Sequence, residues 1–182
     1  MKKILLIFTT LLFGMNLYSQ NLFDNTVFSK LLTKKVNQIR VQNGADTLSL
    51  SLEFGLGYSK KVSTIMSEDS RVFHPNINKS EVKDIIKSVR SDYGLINGID
   101  TNRLKYGISE VCVDVWGFED YDKFVDDVIN SFKSSERHNQ ILFNQNSDTE
   151  GYTMIIGTYV VENNNNYYVS IDIIDFGYFY LN

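Results

Sequence analysis

Three side chains able to do acid–base or metal chemistry are spaced along this 182-residue chain. His74 and His138 are its two histidines, and Glu110 lies between them in the sequence. Neutral imidazole is a good zinc ligand, and a carboxylate can complete a zinc site or act as a general base towards a bound water. Because catalytic zinc normally has three protein ligands, His74 and His138 alone predict weak binding of a divalent metal such as zinc.

The first histidine and the glutamate each lie at the border of a predicted element. His74 falls in a polar, irregular stretch over 67–78, and the following Pro75 biases it towards an extended conformation. Glu110 lies near the start of a strand predicted over 109–116, where apolar and polar residues alternate. We therefore expect both side chains at the ends of elements, where they could face a common cleft.

His138 follows a strongly amphipathic helix that is predicted over 120–132. Ser134 and Ser135 interrupt this helix and can cap a further short helix that carries His138. A serine and a histidine could also act as nucleophile and base, but capping accounts for the serines and no oxyanion element is evident. We expect His138 near a helix start, facing the same cleft.

The remaining pattern divides into helices and strands. Apolar residues at helical spacing predict helices over 24–43, 51–67 and 81–89, with Arg40 and the lysines of the first on its solvent face. Residues 91–107 are predicted as a loop. Runs rich in β-branched and aromatic residues predict strands over 47–52, 152–161 and 167–177, with 163–166 as a hairpin loop. This order indicates an α+β domain with helices packed on an antiparallel sheet.

Residues 1–19 have the features of a secretory signal peptide. Lys2 and Lys3 precede an apolar run over 4–15, and Ser19 offers a small residue for cleavage. The apolar run is too short to cross a membrane as a helix, so we expect no integral membrane segment after its removal. Residues 20–182 are enough for a single domain with its own core. The expected location is the periplasm or the outside of the cell.

The charge limits which partners the chain can bind, and the cysteine count limits which disulfides it can form. Without Lys2 and Lys3 the chain has 16 basic and 22 acidic side chains. It has neither a basic block nor a basic–aromatic stripe, which argues against nucleic acid as a partner. Cys112 is the only cysteine, so no disulfide can form within the chain. Its apolar neighbours predict a buried thiol.

Several segments together resemble the CAP superfamily, also called the SCP or cysteine-rich secretory, antigen 5 and pathogenesis-related domain. The resemblance covers about residues 31–177 and rests on the order and spacing of these segments: Asn37-x-x-Arg40-x-x-x-Gly44-x-x-x-Leu48, the helix over 54–65, the loop histidine His74, Ser109-Glu110-Val111, the stretch 130–142, and the strand over 168–177. The stretch 130–142 is similar to the bacterial signature Trp-x-x-Ser-Pro-Gly-His-Arg-x-x-Ile-Leu.

The resemblance implies a three-layer α-β-α sandwich with a central, mainly antiparallel sheet and a large cleft. In the family, two histidines and two acidic residues line the cleft, and some members bind zinc there. By position, the cleft residues of this chain would be His74, Glu110, Ser135 and His138. Ser135 stands where the family has its second acid, and Phe132 stands where the family has a tryptophan. The metal ligands would be His74 and His138.

Together these observations favour a secreted CAP-domain protein whose cleft binds a ligand or partner, with at most weak divalent-metal binding and no established catalysis. The expected partner is a small apolar ligand, such as a lipid or sterol, or another protein. Two alternatives remain: a zinc-dependent hydrolase that uses the cleft histidines and glutamate, and an extracellular interaction module with a vestigial cleft. The stretch 79–103 is longer than we expect in compact relatives and could narrow the cleft.

Overall fold

The computed structural model describes residues 23–78, 84–89, 104–146 and 154–178. The predicted signal peptide and most of the 79–103 stretch lie outside these ranges. Among the described residues, no helix combines the length and the apolar character needed to cross a membrane.

Within these ranges the chain forms five helical elements. Their bounds are α1, Asn25–Gln42; α2, the consecutive segments Leu52–Phe54, Gly55–Ser59 and Lys60–Glu68; α3, 84–89; α4, Tyr121–Lys133; and α5, Glu136–Asn139 continued by Gln140–Asn144. The middle segment of α2 and the second segment of α5 are π-helical. All five elements lie where the sequence predicts helices.

The two ends of α1 follow from its capping residues. The carboxylate of Asp24 accepts hydrogen bonds from the backbone N–H groups of Thr26 and Val27, which the first turn of a helix otherwise leaves unpaired. Just beyond the helix, Gly44 has a φ of +74°. Glycine adopts this left-handed conformation without steric cost and commonly ends helices. The predicted start and stop of this helix are therefore confirmed.

The structure corrects the prediction that Arg40 lies on the solvent face of α1. Its side chain is fully buried, and its guanidinium donates to the backbone carbonyls of Asp46, Leu142 and Gln145. A guanidinium has five N–H donors in a fixed plane, so one arginine can satisfy several carbonyls. Burial lowers the pKa of Arg40. The arginine thus ties α1 to the chain at the end of α5, which is why it is not exposed.

Four strands form one sheet in the order β1-β3-β4-β2. Their bounds are β1, Ser49–Leu50; β2, Leu104–Trp116; β3, Ile155–Asn163; and β4, Asn166–Tyr178. The β1–β3 pair is parallel, and the β2–β4 and β3–β4 pairs are antiparallel. The sheet is therefore mainly antiparallel, as predicted.

Strand β2 is longer than the sequence predicts. It begins at Leu104 and not at 109, so residues 104–107 are strand and not loop. The reason is the length of β4, because residues 175–178 of that strand pair with 104–107. Glu110 consequently lies in the middle of β2 and not at its start.

The predicted hairpin between β3 and β4 is confirmed, with Asn164 and Asn165 as its two-residue turn. Their φ values are 54° and 63°. A turn with both central residues at positive φ matches the right-handed twist of the strands that it joins, and asparagine tolerates this conformation well.

Alternate residues of β4 face two different layers of helices. Val169, Ile171 and Ile173 lie in the larger apolar cluster, together with residues of α1 and α4. We call this side of the sheet the apolar face. Asp172 and Ile174 lie on the other side, where α2 and α3 pack. This side carries buried polar groups as well as apolar ones, and we call it the mixed face. The predicted three-layer α-β-α sandwich, an α+β fold, is confirmed.

Candidate functional site

The loop after α2 brings His74 to the carboxylate of Glu110, on the mixed face of β2. The two side chains are within hydrogen-bond distance, with His74 Nδ1 2.8 Å from Glu110 Oε1. The His74 side chain is 57% exposed and that of Glu110 only 12%. The pair therefore joins an accessible imidazole to a largely buried carboxylate.

Burial has the largest effect on Glu110 and raises the pKa of its carboxyl. The hydrogen bonds from His74 and Cys112 act in the opposite direction, because each one stabilises the ionised carboxylate. Glu110 Oε1 is thus a largely buried acceptor with two donors, His74 Nδ1 at 2.8 Å and the Cys112 thiol at 3.7 Å.

His138 lies close to this pair. Its ring centre is 6.3 Å from that of His74 and 5.6 Å from that of Phe132, both in edge-on arrangements. Partial burial lowers the pKa of His138, and the nearby His74 and Arg137 lower it further. A lowered pKa favours neutral imidazole, which is the form that binds metals.

Ser135 precedes α5, but its hydroxyl does not cap the helix. Its backbone carbonyl accepts from the N–H of Asn139. The neighbouring Ser134 hydroxyl turns back and donates to the carbonyl of Ser131 in α4. The prediction that hydroxyl groups cap α5 is therefore wrong, although the helix begins where predicted. In the described part of the chain, no contact of the Ser135 side chain reaches either histidine, so its place in the cleft stays a prediction.

Cys112 lies two residues after Glu110 and is buried, as predicted, with 4% of its surface exposed. The candidate ligand atoms of His74, Glu110 and Cys112 all lie within 4.8 Å of one another. Burial, followed by the carboxylates of Glu110 and Asp172, raises the pKa of the Cys112 thiol. A protonated thiol is a poor metal ligand. A metal held by this trio would also replace the hydrogen bond between His74 and Glu110.

Two groups beside Glu110 were missed by sequence reasoning. Tyr58 of α2 lies near Glu110, and burial followed by the nearby carboxylates of Asp172 and Glu110 raises the pKa of its phenol. Asp172 of β4 is paired with Glu110 across the sheet and is fully buried. A signal for it was present, because Ser170 and Asp172 alternate with apolar residues along one strand and so share a face.

The donor set fits a weak zinc site held by two imidazoles. A metal-ligating histidine commonly donates its other ring N–H to a carboxylate, as His74 Nδ1 can to Glu110. Two imidazoles on one tetrahedral zinc, at Zn–N distances of about 2.0–2.1 Å, have ring centres roughly 5 Å apart. The rings of His74 and His138 are 6.3 Å apart. The His74 ring, whose side chain is 57% exposed, would therefore have to move by about 1 Å to share a zinc ion with His138.

The α-β-α layers, with two histidines and a glutamate brought together beside the sheet, agree with the architecture that the CAP resemblance implies. Among solved structures, the chain is similar to an outer surface protein from Borrelia burgdorferi. The two share 17% identity over 84% of this chain and 96% of that one, with a TM-score of 0.56. At this identity the similarity shows a shared fold alone.

Two other solved structures have names that fit the CAP resemblance. One is a cysteine-rich secretory protein from Staphylococcus aureus, at 15% identity over 87% of this chain and 40% of that one, with a TM-score of 0.47. The other is an extracellular protein containing a SCP domain from Bacillus anthracis, at 12% identity over 83% of this chain and 41% of that one, with a TM-score of 0.48. With TM-scores this low, we base no argument about the site on either. Neither a family model nor a curated protein matches the chain.

Proposed function

We propose that this chain is an exported binding module with a CAP-type fold, in which His74, Glu110 and His138 form the site for a ligand or partner. The same site would bind a divalent metal weakly. The observation that carries this proposal is the 2.8 Å contact between His74 and Glu110, with the His138 ring 6.3 Å from that of His74. Export rests on the predicted signal peptide.

The number of ligands is the reason for proposing a binding role and not a hydrolase. His74 Nε2 and a ring nitrogen of His138 would hold the metal, while Glu110 would orient the His74 ring. Bound zinc would supply a Lewis acid and a more acidic water. Catalytic zinc sites normally have three protein ligands, and a serine stands at position 135 where the resemblance places an acid.

Titration calorimetry with zinc tests the proposal. We expect the wild-type chain to bind with a Kd above about 1 μM, weaker than about −8 kcal/mol. His74→Ala and His138→Ala should abolish the heat change, because each removes one of two ligands. Glu136→Gln, an exposed carboxylate on the same short helix, is the matched control and should change nothing.

Three results would overturn this reading. Absence of heat with the wild-type chain, or heat that survives the loss of either histidine, would remove the metal from the site. A zinc Kd far below about 1 μM that rises in the Cys112→Ser variant would instead assign the metal to the trio of His74, Glu110 and Cys112.

Ser135→Glu tests the placement of the fourth cleft residue. If Ser135 occupies the position of the family's second acid, a glutamate there should tighten zinc binding by about tenfold, or about 1.4 kcal/mol. An unchanged affinity would show that the stretch 130–142 has been aligned wrongly with the family signature.

The organic ligand or protein partner is the remaining part of the proposal. A lipid or sterol would be retained through purification and recovered by solvent extraction and mass spectrometry. His74→Ala and His138→Ala should reduce that retention if the bound molecule contacts the histidine pair. An equal amount retained by both variants would place the lipid away from this site.

A further inference from the structure

The two edges of the sheet differ in how completely they are covered. At one edge, β1 has only 2 residues and covers the start of β3. Further along β3, the side chain of Asn25 in α1 donates to the carbonyl of Val160 and accepts from its N–H. The hydroxyl of Ser29 donates to the carbonyl of Thr158 at 3.3 Å. Helix α1 thus takes the place of a strand beside β3.

Strand β2 forms the opposite edge, and no described strand lies on its outer side. It pairs with β4 along all 13 of its residues without a bulge. Natural edge strands commonly carry a lysine, a proline or a bulge that prevents a second chain from pairing with them. Residues 106–116 contain no lysine, arginine or proline. In the described part of the chain, this edge is therefore available to another strand.

The register of the sheet shows which residues of β2 direct their backbone groups outward. Successive residues of an antiparallel strand turn their N–H and C=O groups alternately to the two sides. Val160 turns both groups towards Asn25. Its partner in β4, Val169, must therefore turn both groups towards β2, where it pairs with Val113. The even-numbered residues of β2 consequently face the open edge, and no other described segment bonds the backbone of 108–114 from that side.

The histidine pair borders the same edge. His74 reaches Glu110 on the mixed face, whereas His138 packs against Phe132, which belongs to the cluster on the apolar face. The two rings come from opposite layers, yet their centres are 6.3 Å apart. Because packed layers are separated by about 10 Å, side chains from the two sides can approach this closely only around the outside of the sheet. A ligand on the histidines therefore lies beside the outer backbone of β2.

The side chains along this edge indicate the charge of its partner. Glu110, Asp114 and Trp116 project to the same side of β2. Asp114 is exposed, and 74% of the Trp116 surface is exposed. A carboxylate and an indole ring both attract lysine and arginine. If β2 of a second copy paired here, its acidic side chains would lie beside these carboxylates, and like charges that face each other across strands are destabilising. The charges therefore favour a basic partner over a second copy.

We propose that the outer edge of β2 pairs with an extended peptide that carries basic side chains, beside the histidine pair. The backbone of the even-numbered residues would supply the hydrogen bonds that give affinity, and Asp114 and Trp116 would select lysine or arginine. This inference rests on the proposed function and names the class of partner that its site binds.

A synthetic peptide of about eight alternating lysine and valine residues, a common strand length, tests the proposal by titration calorimetry with the full chain. We expect a Kd of about 100 μM or lower, and no binding of the same peptide with glutamate in place of lysine. Equal binding of the two peptides, or binding of neither, would overturn the inference.

Variants of Asp114 separate its charge from its backbone N–H. Asp114→Asn loses only the charge and should weaken the lysine peptide by about threefold. Asp114→Pro also loses the outward N–H, which an edge strand tolerates, and should weaken the peptide by at least about tenfold. Glu53→Gln removes an exposed carboxylate of α2 and is the matched control without effect. A proline variant that binds like the asparagine variant would contradict pairing along the backbone.

Amide hydrogen exchange of the wild-type chain tests the same pairing without any variant. The N–H groups of residues 108, 110, 112 and 114 should exchange at least about tenfold faster than those of 109, 111 and 113, and should slow by a similar factor when the lysine peptide binds. Slow exchange at the even-numbered positions without peptide would show that the edge is already covered. Slowing that appears only as the protein concentration rises would assign the edge to a second copy. Either result would overturn the inference.

Zinc titration separates this inference from the proposed function. Peptide pairing at β2 that is unchanged in His74→Ala and His138→Ala, or that occurs in a chain without zinc binding, would refute the proposed role of the histidines and support the open edge. Zinc binding that needs both histidines, together with no binding of the lysine peptide, would refute the pairing and leave the metal site.

Discussion

The two faces of the sheet are made from alternate residues of the same strands, but one face is apolar and the other buries polar and ionisable groups. On the apolar face, Val111 and Ile171 are paired and completely buried in the cluster beneath α1 and α4. One residue away, Glu110 and Asp172 are paired on the mixed face, where burial opposes their charges. Apolar burial on one face stabilises the fold and offsets the cost of burying polar groups beside the histidines on the other face.

Among the described residues, each side of the sheet has a fully buried ionisable group, Arg40 or Asp172, and the surroundings of the two differ. Arg40, from the helix on the apolar face, has three carbonyl partners. Asp172, on the mixed face, has one oxygen paired with Ser170 and one without a partner among the described residues. Removing the partners of a buried charge is costly, and a partly satisfied buried group costs less when it is neutral than when it is charged.

The largest effect should come from Arg40→Met. This change leaves three carbonyl groups without their charged donor, and we expect it to lower the free energy of unfolding by roughly 4–6 kcal/mol. Lys35→Met is the matched control on the same helix. Lys35 pairs with Asp122 and Asp126 at the surface, so its loss should cost less than about 1 kcal/mol. Urea unfolding measures the loss of unfolding free energy in both variants. Equal losses would show that the buried hydrogen bonds of Arg40 do not stabilise the fold more than a surface ion pair does.

A smaller effect should come from Ile171→Ala on the apolar face. Truncation of a fully buried isoleucine leaves a cavity and should cost about 3 kcal/mol of unfolding free energy. Because Ile171 faces away from Glu110, the zinc affinity of this variant should be that of the wild type. If Ile171→Ala weakens zinc binding as much as His74→Ala does, the separation between the two faces does not hold.

The effect that is specific to the mixed face is the pH dependence of Asp172→Asn, which is the smallest of the three for a change of one pH unit, at most about 1.4 kcal/mol. Burial raises the pKa of Asp172 above its ordinary value of 3.8, so the fold favours the neutral acid. The stability that this provides is complete below pH 3.8 and is lost as the pH rises towards the raised pKa. Asparagine stays neutral. The free energy of unfolding of the variant, relative to that of the wild type, should therefore increase by up to about 1.4 kcal/mol for each unit of rising pH.

Urea unfolding of the two chains from about pH 4 to about pH 8 measures this difference, within the range where buried carboxyls titrate. Glu110 lies on the same face and titrates in both chains, whereas burial raises the pKa of Tyr58 and keeps its phenol protonated over this range. A difference that stays constant with pH, or that favours the wild type as pH rises, would mean that Asp172 is ionised in the fold.

The two faces also explain which predictions succeeded. The inward side of α4 follows from the amphipathic pattern predicted over 120–132, since the residues that recur there at helical spacing are all buried: Phe124, Val125, Val128, Ile129 and Phe132. The chain direction at Gly44 and at Asn164 follows from residue types that tolerate positive φ. These features depend on neighbours a few residues apart, and such neighbours are visible in the sequence.

The candidate site was predicted only in part. His74, Glu110 and His138 were identified by their chemistry and by the CAP resemblance, and the structure brings the three together. Tyr58 falls in the helix predicted over 51–67, and nothing in the pattern of that helix indicates that its side chain lies near Glu110. The cleft role of Ser135 stays a prediction.

The sequence by itself determined the alternation of polar and apolar residues, the helix caps and the turns, because each of these depends on local backbone preferences and side-chain spacing. Only the tertiary structure decided which polar residues are buried and what they contact. Arg40 meets a carbonyl 102 residues away, and Asp172 meets Glu110 because two strands pair in a particular register. Such contacts depend on how distant segments of the chain pack, and spacing along one segment does not determine that.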